Sequence, residues 1–144
     1  MTHKDKGHFA AKHPQGAVVS DELRQAIEKK SRNHSITCAA AHDIARNLII
    51  SPMEVGKAID LLEYHIRKCQ LGLFGYHPEK KIVKPAAHVP SDLKNSIFTH
   101  LQNGRLSCAK AWELAEVMEL SRLKFCGTCE TLNIKISPCQ LGAF

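Results

Sequence analysis

The chain has 144 residues, of which 44% are hydrophobic and 24% are charged, and this composition excludes a wholly disordered or fibrous protein. No apolar stretch reaches the roughly 18–20 residues that a membrane span needs, and the N-terminus lacks the apolar segment of a secretory signal. Six cysteines in such a chain favour thiols or metal ligands over disulfides, so we expect a cytoplasmic protein. The formal net charge of +6 favours nucleic acid or another acidic partner, and we expect no membrane association.

An internal repeat organises the chain. Residues 21–74 align without a gap with residues 91–144, and 15 of the 54 positions are identical. The tetrapeptide Cys-Gln-Leu-Gly begins at Cys69 in the first copy and at Cys139 in the second copy. A gapless match that shares rare residues indicates a duplication, so we expect both copies to fold in the same way.

Each copy is predicted to contain three helices. In the first copy, the first helix covers about residues 21–32, and the second is an alanine-rich helix that begins after Thr37. The third helix has Ser51 as its N-cap and a proline at its first position, which is a favoured start for a helix. Apolar residues then recur every three or four positions as far as Ile66, so we expect a helix that ends at Gly72.

The second copy is predicted to repeat this pattern. We expect Ser91 to cap its first helix, Ser107 its second and Ser121 its third, because a hydroxyl precedes each helical segment. Gly142 is expected to end the last helix.

The two copies differ after Gly72. The first copy continues with two short extended runs around a turn at residues 77–80, a pattern that predicts a β-hairpin. We therefore predict a disordered basic tail over residues 1–20, a first unit over residues 21–87 and a second unit, without a full hairpin, over residues 88–144.

The segment IARNLIISPMEVGKAIDLL, residues 44–62, resembles the helix-turn-helix of the winged-helix DNA-binding superfamily. The small Ala45 lies on the second helix of this segment, and Val55 and Ile59 would hold the third helix against the second. The predicted hairpin lies where that superfamily has its wing. The resemblance covers about residues 21–85 and is weaker in the second copy. It implies a mainly α protein of two tandem winged-helix-like trihelical units, the first with a β-hairpin wing.

The resemblance also implies a DNA-binding transcriptional regulator, and we expect no cofactor. A recognition helix presents its first turns to the major groove, and basic residues on a wing contact phosphates. The residues expected to contact DNA lie at the start of the third helices and on the hairpin: Pro52, Met53, Gly56 and Lys57, then Lys80, Lys81 and Lys84, then Arg122, Lys124 and Thr128. The third helix of the first copy also carries acidic residues, so the second copy is the better match to a polyanion.

Two other functions stay open. Trihelical units need not bind nucleic acid, so a protein-interaction module, or a homodimer, is an alternative to DNA binding. Cys126 and Cys129 have the two-residue gap of zinc and iron–sulfur sites, which would suit a metal- or redox-responsive regulator.

We expect buried thiols and no bound metal. Cys108 and Cys139 are predicted to lie at distant ends of their helices, too far apart to complete a metal site. Cys129 is expected to face the core and Cys126 to lie nearer its edge. No nucleophile–base pair and no phosphate-binding loop stand out, so the chain is predicted not to be an enzyme.

Overall fold

Helices make up most of the regular structure in the computed structural model, which describes residues 9–144. The first copy of the repeat contains three helices and two strands: α1 (Asp21–Lys30), β1 (Ser35–Thr37), α2 (Cys38–Leu48), α3 (Pro52–Leu61) and β2 (His65–Arg67). The two strands pair in parallel, with Ile36 opposite Ile66. The mainly α prediction is therefore confirmed for the described residues.

The second copy has the same elements in the same order: α4 (Ser91–Thr99), β3 (Arg105–Leu106), α5 (Cys108–Val117), α6 (Arg122–Thr131) and β4 (Lys135–Ile136). Its strands also pair in parallel, with Leu106 opposite Ile136. Every one of these helices and strands starts 70 residues after its counterpart, so the structure confirms three helices in each copy. The cap prediction for Ser91 is wrong, because Pro90 is the N-cap and Ser91 is the first residue of α4.

Hydroxyl side chains start the second and third helices of both copies. Thr37 and Ser51 each accept a hydrogen bond of 3.1 Å from the backbone N–H three residues ahead, and Ser107 and Ser121 do the same in the second copy. Each bond satisfies a backbone donor that has no partner within the helix. The four predicted caps are therefore confirmed.

The third helix of each copy is shorter than the sequence predicts. α3 ends at Leu61, and Glu63 then adopts a left-handed conformation, with φ of 59°, as the chain turns into β2. Ile66 was expected on the buried face of this helix, but it lies in β2. Gly72 and Gly142 therefore do not end the third helices. The apolar spacing continues past the helix because β2 also carries an apolar residue, Ile66, which lies opposite Ile36 of β1.

Residues 73–84 form a loop without strands, so the predicted β-hairpin wing is wrong. The Gly72 carbonyl accepts hydrogen bonds from the N–H groups of Ile82 and Val83, at 2.9 and 3.2 Å. Val83 is also buried, and it holds this end of the loop against the core. The backbone is therefore paired at the base of the loop, but no ladder of paired strands follows along its sides.

The compact units of the structure have boundaries that differ from the predicted ones. The first unit contains the described residues up to Cys69 together with Gln140–Phe144, and the second contains Gln70–Cys139. Each unit thus includes the short Gln-Leu-Gly segment from near the end of the other copy. Leu141 is 1% exposed and Leu71 is 0% exposed. Leu141 is therefore part of the core of the first unit, and Leu71 is part of the core of the second.

The chain ahead of α1 is folded from residue 9, although the sequence predicts a disordered tail over residues 1–20. Phe9–Lys12 form a 3-10 helix, and the Phe9 side chain is buried. The Glu63 carboxylate accepts hydrogen bonds from the N–H groups of Phe9 and Ala10, at 2.9 and 3.1 Å. The remainder of the predicted tail, residues 1–8, lies outside the described residues.

Candidate nucleic-acid interface

A tight turn joins the second and third helices of each copy. In the first unit, Ile49 adopts a left-handed conformation with φ of 55°, and the Ile50 N–H donates to the Ala45 carbonyl at 3.0 Å. In the second unit, Glu119 has the same φ, and the equivalent hydrogen bond from Leu120 spans 2.9 Å. The turn that carries the helix-turn-helix resemblance therefore has the same backbone form in both units.

The third helices are enclosed beyond their first turn. Residues 125–129 of α6 are all buried, and five of the ten residues of α3 are buried. A helix that is buried on most sides cannot lie along a major groove. A contact with DNA is therefore limited to the first turn of each helix and, in α3, to Lys57, which is exposed one turn later.

The first unit offers three of its four predicted contact residues to solvent. Met53 is 51% exposed, Lys57 is exposed, and Pro52 is partly exposed at the start of α3. Gly56 is buried, because its Cα lies against the Leu141 carbonyl so closely that a Cβ at this position would overlap it. The prediction that Gly56 contacts DNA is therefore wrong.

The second unit holds an arginine in a fixed position at the start of α6. Arg122 is the first residue of that helix, and its guanidinium carbon lies 3.6 Å from the centre of the Trp112 ring. Its Nη1 donates a hydrogen bond of 3.1 Å to the Gln70 side-chain oxygen. Stacking on one face and a hydrogen bond at one edge leave other N–H groups of the guanidinium for an acceptor from outside.

Lys124 is accessible to a DNA ligand, and Thr128 is not. Lys124 is exposed on the first turn of α6. Thr128 is only 4% exposed, and its hydroxyl donates a hydrogen bond of 3.4 Å to the Lys124 carbonyl. The prediction that Thr128 contacts DNA is therefore wrong, since both its surface and its donor are used inside the unit.

The lysines predicted for the wing belong to the second unit, together with Arg122 and Lys124. Lys80 and Lys84 are exposed, and Lys81 forms an ion pair of 2.7 Å with Glu130 of α6. The structure thus groups these cations in one unit and leaves the first-copy candidates in the other.

Lys84 and Lys124 line one cleft of the second unit, which has a volume of about 460 Å³. His88 also lines this cleft, and Leu93 and Leu120 contribute apolar surface. Sequence reasoning missed the cleft, because it depends on where the loop after Gly72 packs. It also missed Gln70 as the residue that orients Arg122; only the repeat of the Cys-Gln-Leu-Gly tetrapeptide pointed to this glutamine.

The two cysteines of α6 are inert thiols in the core. Cys129 is 1% exposed, as predicted, but Cys126 is 0% exposed and does not lie at the edge. Burial, with a smaller contribution from the Glu130 charge, raises the pKa of the Cys129 thiol to about 12. Cys129 is therefore protonated and poorly nucleophilic at neutral pH. Within residues 9–144, no three His, Cys, Asp or Glu side chains are grouped so that they could hold a metal ion.

Comparisons of the chain with protein-family models, with curated proteins and with solved structures gave no match. Among the described helices, none is both long and apolar enough to cross a membrane.

Proposed function

We propose that this protein is a DNA-binding transcriptional regulator that contacts duplex DNA through the second unit. The contact residues are Arg122 and Lys124 on the first turn of α6, with Lys80 and Lys84 on the adjoining loop. The observation that carries the proposal is the Arg122 guanidinium, which is held between the Trp112 ring and the Gln70 side chain at the start of a helix.

An arginine in this position suits the chemistry of DNA. The fork of a guanidinium matches the O6 and N7 acceptors of guanine and also the oxygens of a phosphate. Backbone N–H groups and the helix dipole at the start of α6 favour an anion at the same place. Because Arg122 is already oriented by Trp112 and Gln70, less side-chain freedom is lost when it binds.

The first unit has a different surface at the equivalent positions. Pro52 and His42 stand where the second unit has Arg122 and Trp112, so the first unit has no stacked cation there. Its α3 offers one exposed lysine, Lys57, next to the exposed carboxylate of Glu54. We therefore assign the main contact to the second unit.

Replacing Arg122 with alanine should weaken binding to duplex DNA by about 10- to 100-fold, the value of one good arginine contact to a base. The measurement is a fluorescence-anisotropy titration of a labelled duplex with the full chain. Arg122→Lys keeps the charge but loses the fork, so it should bind all sequences with a similar, reduced affinity. Arg24→Ala removes an equal charge from the exposed face of α1 and is the control. Equal affinities for Arg122→Ala, Arg24→Ala and the unchanged protein would contradict the assignment.

A protein-interaction module is the second candidate, and one observation favours it. Ile49 adopts a left-handed conformation, which is strained for a β-branched residue. Its side chain is 91% exposed, so packing within the protein does not offset this strain. Met53, nearby on the first turn of α3, is 51% exposed. An apolar partner surface would cover both side chains. The same titration separates the two candidates, since a module that only docks a protein does not bind duplex DNA.

A further inference from the structure

Four of the six cysteines occupy positions that are equivalent in the two copies. Cys38 and Cys108 are the first residues of α2 and α5, and Cys69 and Cys139 follow β2 and β4. Their exposed fractions are nearly identical, at 6%, 5%, 5% and 6% for Cys38, Cys69, Cys108 and Cys139. Both units thus place one cysteine at the start of the second helix and one just after the returning strand.

The backbone brings the two cysteines of the second unit together. Ser137 donates its N–H to the Leu106 carbonyl at 2.8 Å, and Cys108 donates its N–H to the Pro138 carbonyl at 3.0 Å. Because Cys139 directly follows that carbonyl, standard peptide dimensions keep the Cα atoms of Cys108 and Cys139 within about 7 Å of each other. Disulfides form across Cα separations of about 4.4–6.8 Å. The expectation that these cysteines lie at distant ends of their helices is therefore wrong.

The first unit has its two cysteines at the corresponding places. Thr37 and Arg67 are partners at the end of the parallel pair of strands; Cys38 follows Thr37 directly, and Cys69 follows Arg67 after one intervening residue, Lys68. In both units the two cysteines are 31 positions apart in the sequence. The enclosed stretch contains both helices of the helix-turn-helix, so a bond between the cysteines would close a loop around them.

The Cys-x-x-Cys pair of α6 has none of this repetition. Cys126 and Cys129 correspond to Gly56 and Ile59 in the first copy. Both thiols are enclosed in the middle of the helix, and Cys129 stays protonated at neutral pH. We therefore expect disulfide formation at the four cysteines near the strand ends and not at Cys126 and Cys129.

We propose that Cys38 with Cys69, and Cys108 with Cys139, are two dithiol sites that convert reversibly to disulfides. Oxidation takes place by exchange with a small disulfide such as oxidised glutathione. One cysteine thiolate attacks the small disulfide, forms a mixed disulfide and releases one small thiol. The second cysteine then attacks the protein sulfur of that mixed disulfide and releases the second small thiol. The protein loses two protons and two electrons at each site, and the small disulfide gains both.

This inference does not depend on DNA binding. Cys69 and Cys139 are the residues at which the chain leaves one compact unit for the other. A disulfide at each site fixes the departing strand to the start of α2 or α5, and it restricts the unfolded chain as well. We therefore expect the oxidised protein to melt at a higher temperature than the reduced protein.

The test is disulfide mapping of the full, folded chain after equilibration with oxidised glutathione. The protein is then denatured in iodoacetamide, and the number of alkylated cysteines and the linked peptides are identified by mass spectrometry. We expect a loss of four hydrogen atoms, alkylation of Cys126 and Cys129 only, and the links Cys38–Cys69 and Cys108–Cys139. Reduction should restore all six thiols.

Two variants and a matched control make the result specific. Cys38→Ala should lose the link in the first unit and keep the other, and Cys108→Ala should do the reverse. Cys126→Ala also removes a buried thiol, but it should keep both links and the rise in melting temperature. A link between Cys126 and Cys129, links between the two copies, stable glutathione adducts or an unchanged mass would each overturn the proposal. If a variant does not fold, the mapping of the unchanged protein decides alone.

Discussion

Replacing Asp60 with asparagine should destabilise the folded protein by about 2–4 kcal/mol, because it leaves the partly buried Lys12 amine without its carboxylate and changes the hydrogen bond with His13. Asp60 is 6% exposed on α3. One of its carboxylate oxygens lies 3.0 Å from the Lys12 amine and 2.8 Å from a His13 ring nitrogen. The side chains of Lys12 and His13 are only 16% and 20% exposed, so water compensates poorly for the lost charge. Urea denaturation followed by circular dichroism measures the change.

The second copy supplies a matched control for this substitution. Glu130 stands at the position equivalent to Asp60 and pairs with Lys81 at 2.7 Å. The two side chains of this pair are 27% and 48% exposed, so the pair contributes less to stability. Glu130→Gln should therefore cost less than about 1 kcal/mol. Equal losses for the two variants would mean that the segment before α1 does not pack on α3 as described.

Replacing Gly56 with alanine should cost at least about 2 kcal/mol, the reverse of what this change does in an ordinary helix. Glycine in the middle of a helix is less favourable than alanine by about 0.5–1 kcal/mol, so an open site would gain stability. Here the added Cβ would overlap the Leu141 carbonyl, and the C-terminal segment would have to move away from α3. Thermal denaturation of the full chain measures the sign of the effect.

Two further variants show whether the clash with Leu141 is the cause. In a chain that ends at Gln140, Gly56→Ala should lose its penalty, because the blocking carbonyl is gone. Cys126 already carries a side chain at the equivalent position of the second copy, so Cys126→Ala should show only the loss of a sulfur from the core. Stabilisation by Gly56→Ala in the full chain would contradict the packing of Leu141 against α3.

Local sequence signals predicted where the second and third helices begin. A helix cap depends only on a side-chain hydroxyl and the backbone N–H three residues later, so the sequence alone predicts it. The caps of this kind are Thr37, Ser51, Ser107 and Ser121. The repeat also predicted correctly that the three helices of the first copy would recur after 70 positions. The ends of the third helices were harder to predict, because the apolar spacing at Ile66 suits both a continuing helix and a strand that returns to the core.

Contacts between distant parts of the chain could not be read from the sequence. Gly56 looked like an exposed helix position because nothing near it indicates that residues 140–144 cover it. Thr128 looked accessible for the same reason, although the second unit buries it. Arg122 was predicted as a contact residue from its place at a helix start, but its orientation depends on Trp112 and Gln70, which are ten and 52 positions away.

The salt dependence of binding to a random-sequence duplex tests the central claim most directly. Arg122, Lys124, Lys80 and Lys84 can each neutralise a phosphate, so log K should fall against log salt with a slope of about −3 to −4. Between about 50 and about 200 mM salt, the affinity of the full chain should then fall by about 100-fold. Replacing Lys80 and Lys84 with alanine should flatten that slope by about two and leave the preference among sequences unchanged. No binding to duplex DNA at the lower salt concentration, or an affinity that does not change with salt, would contradict the account.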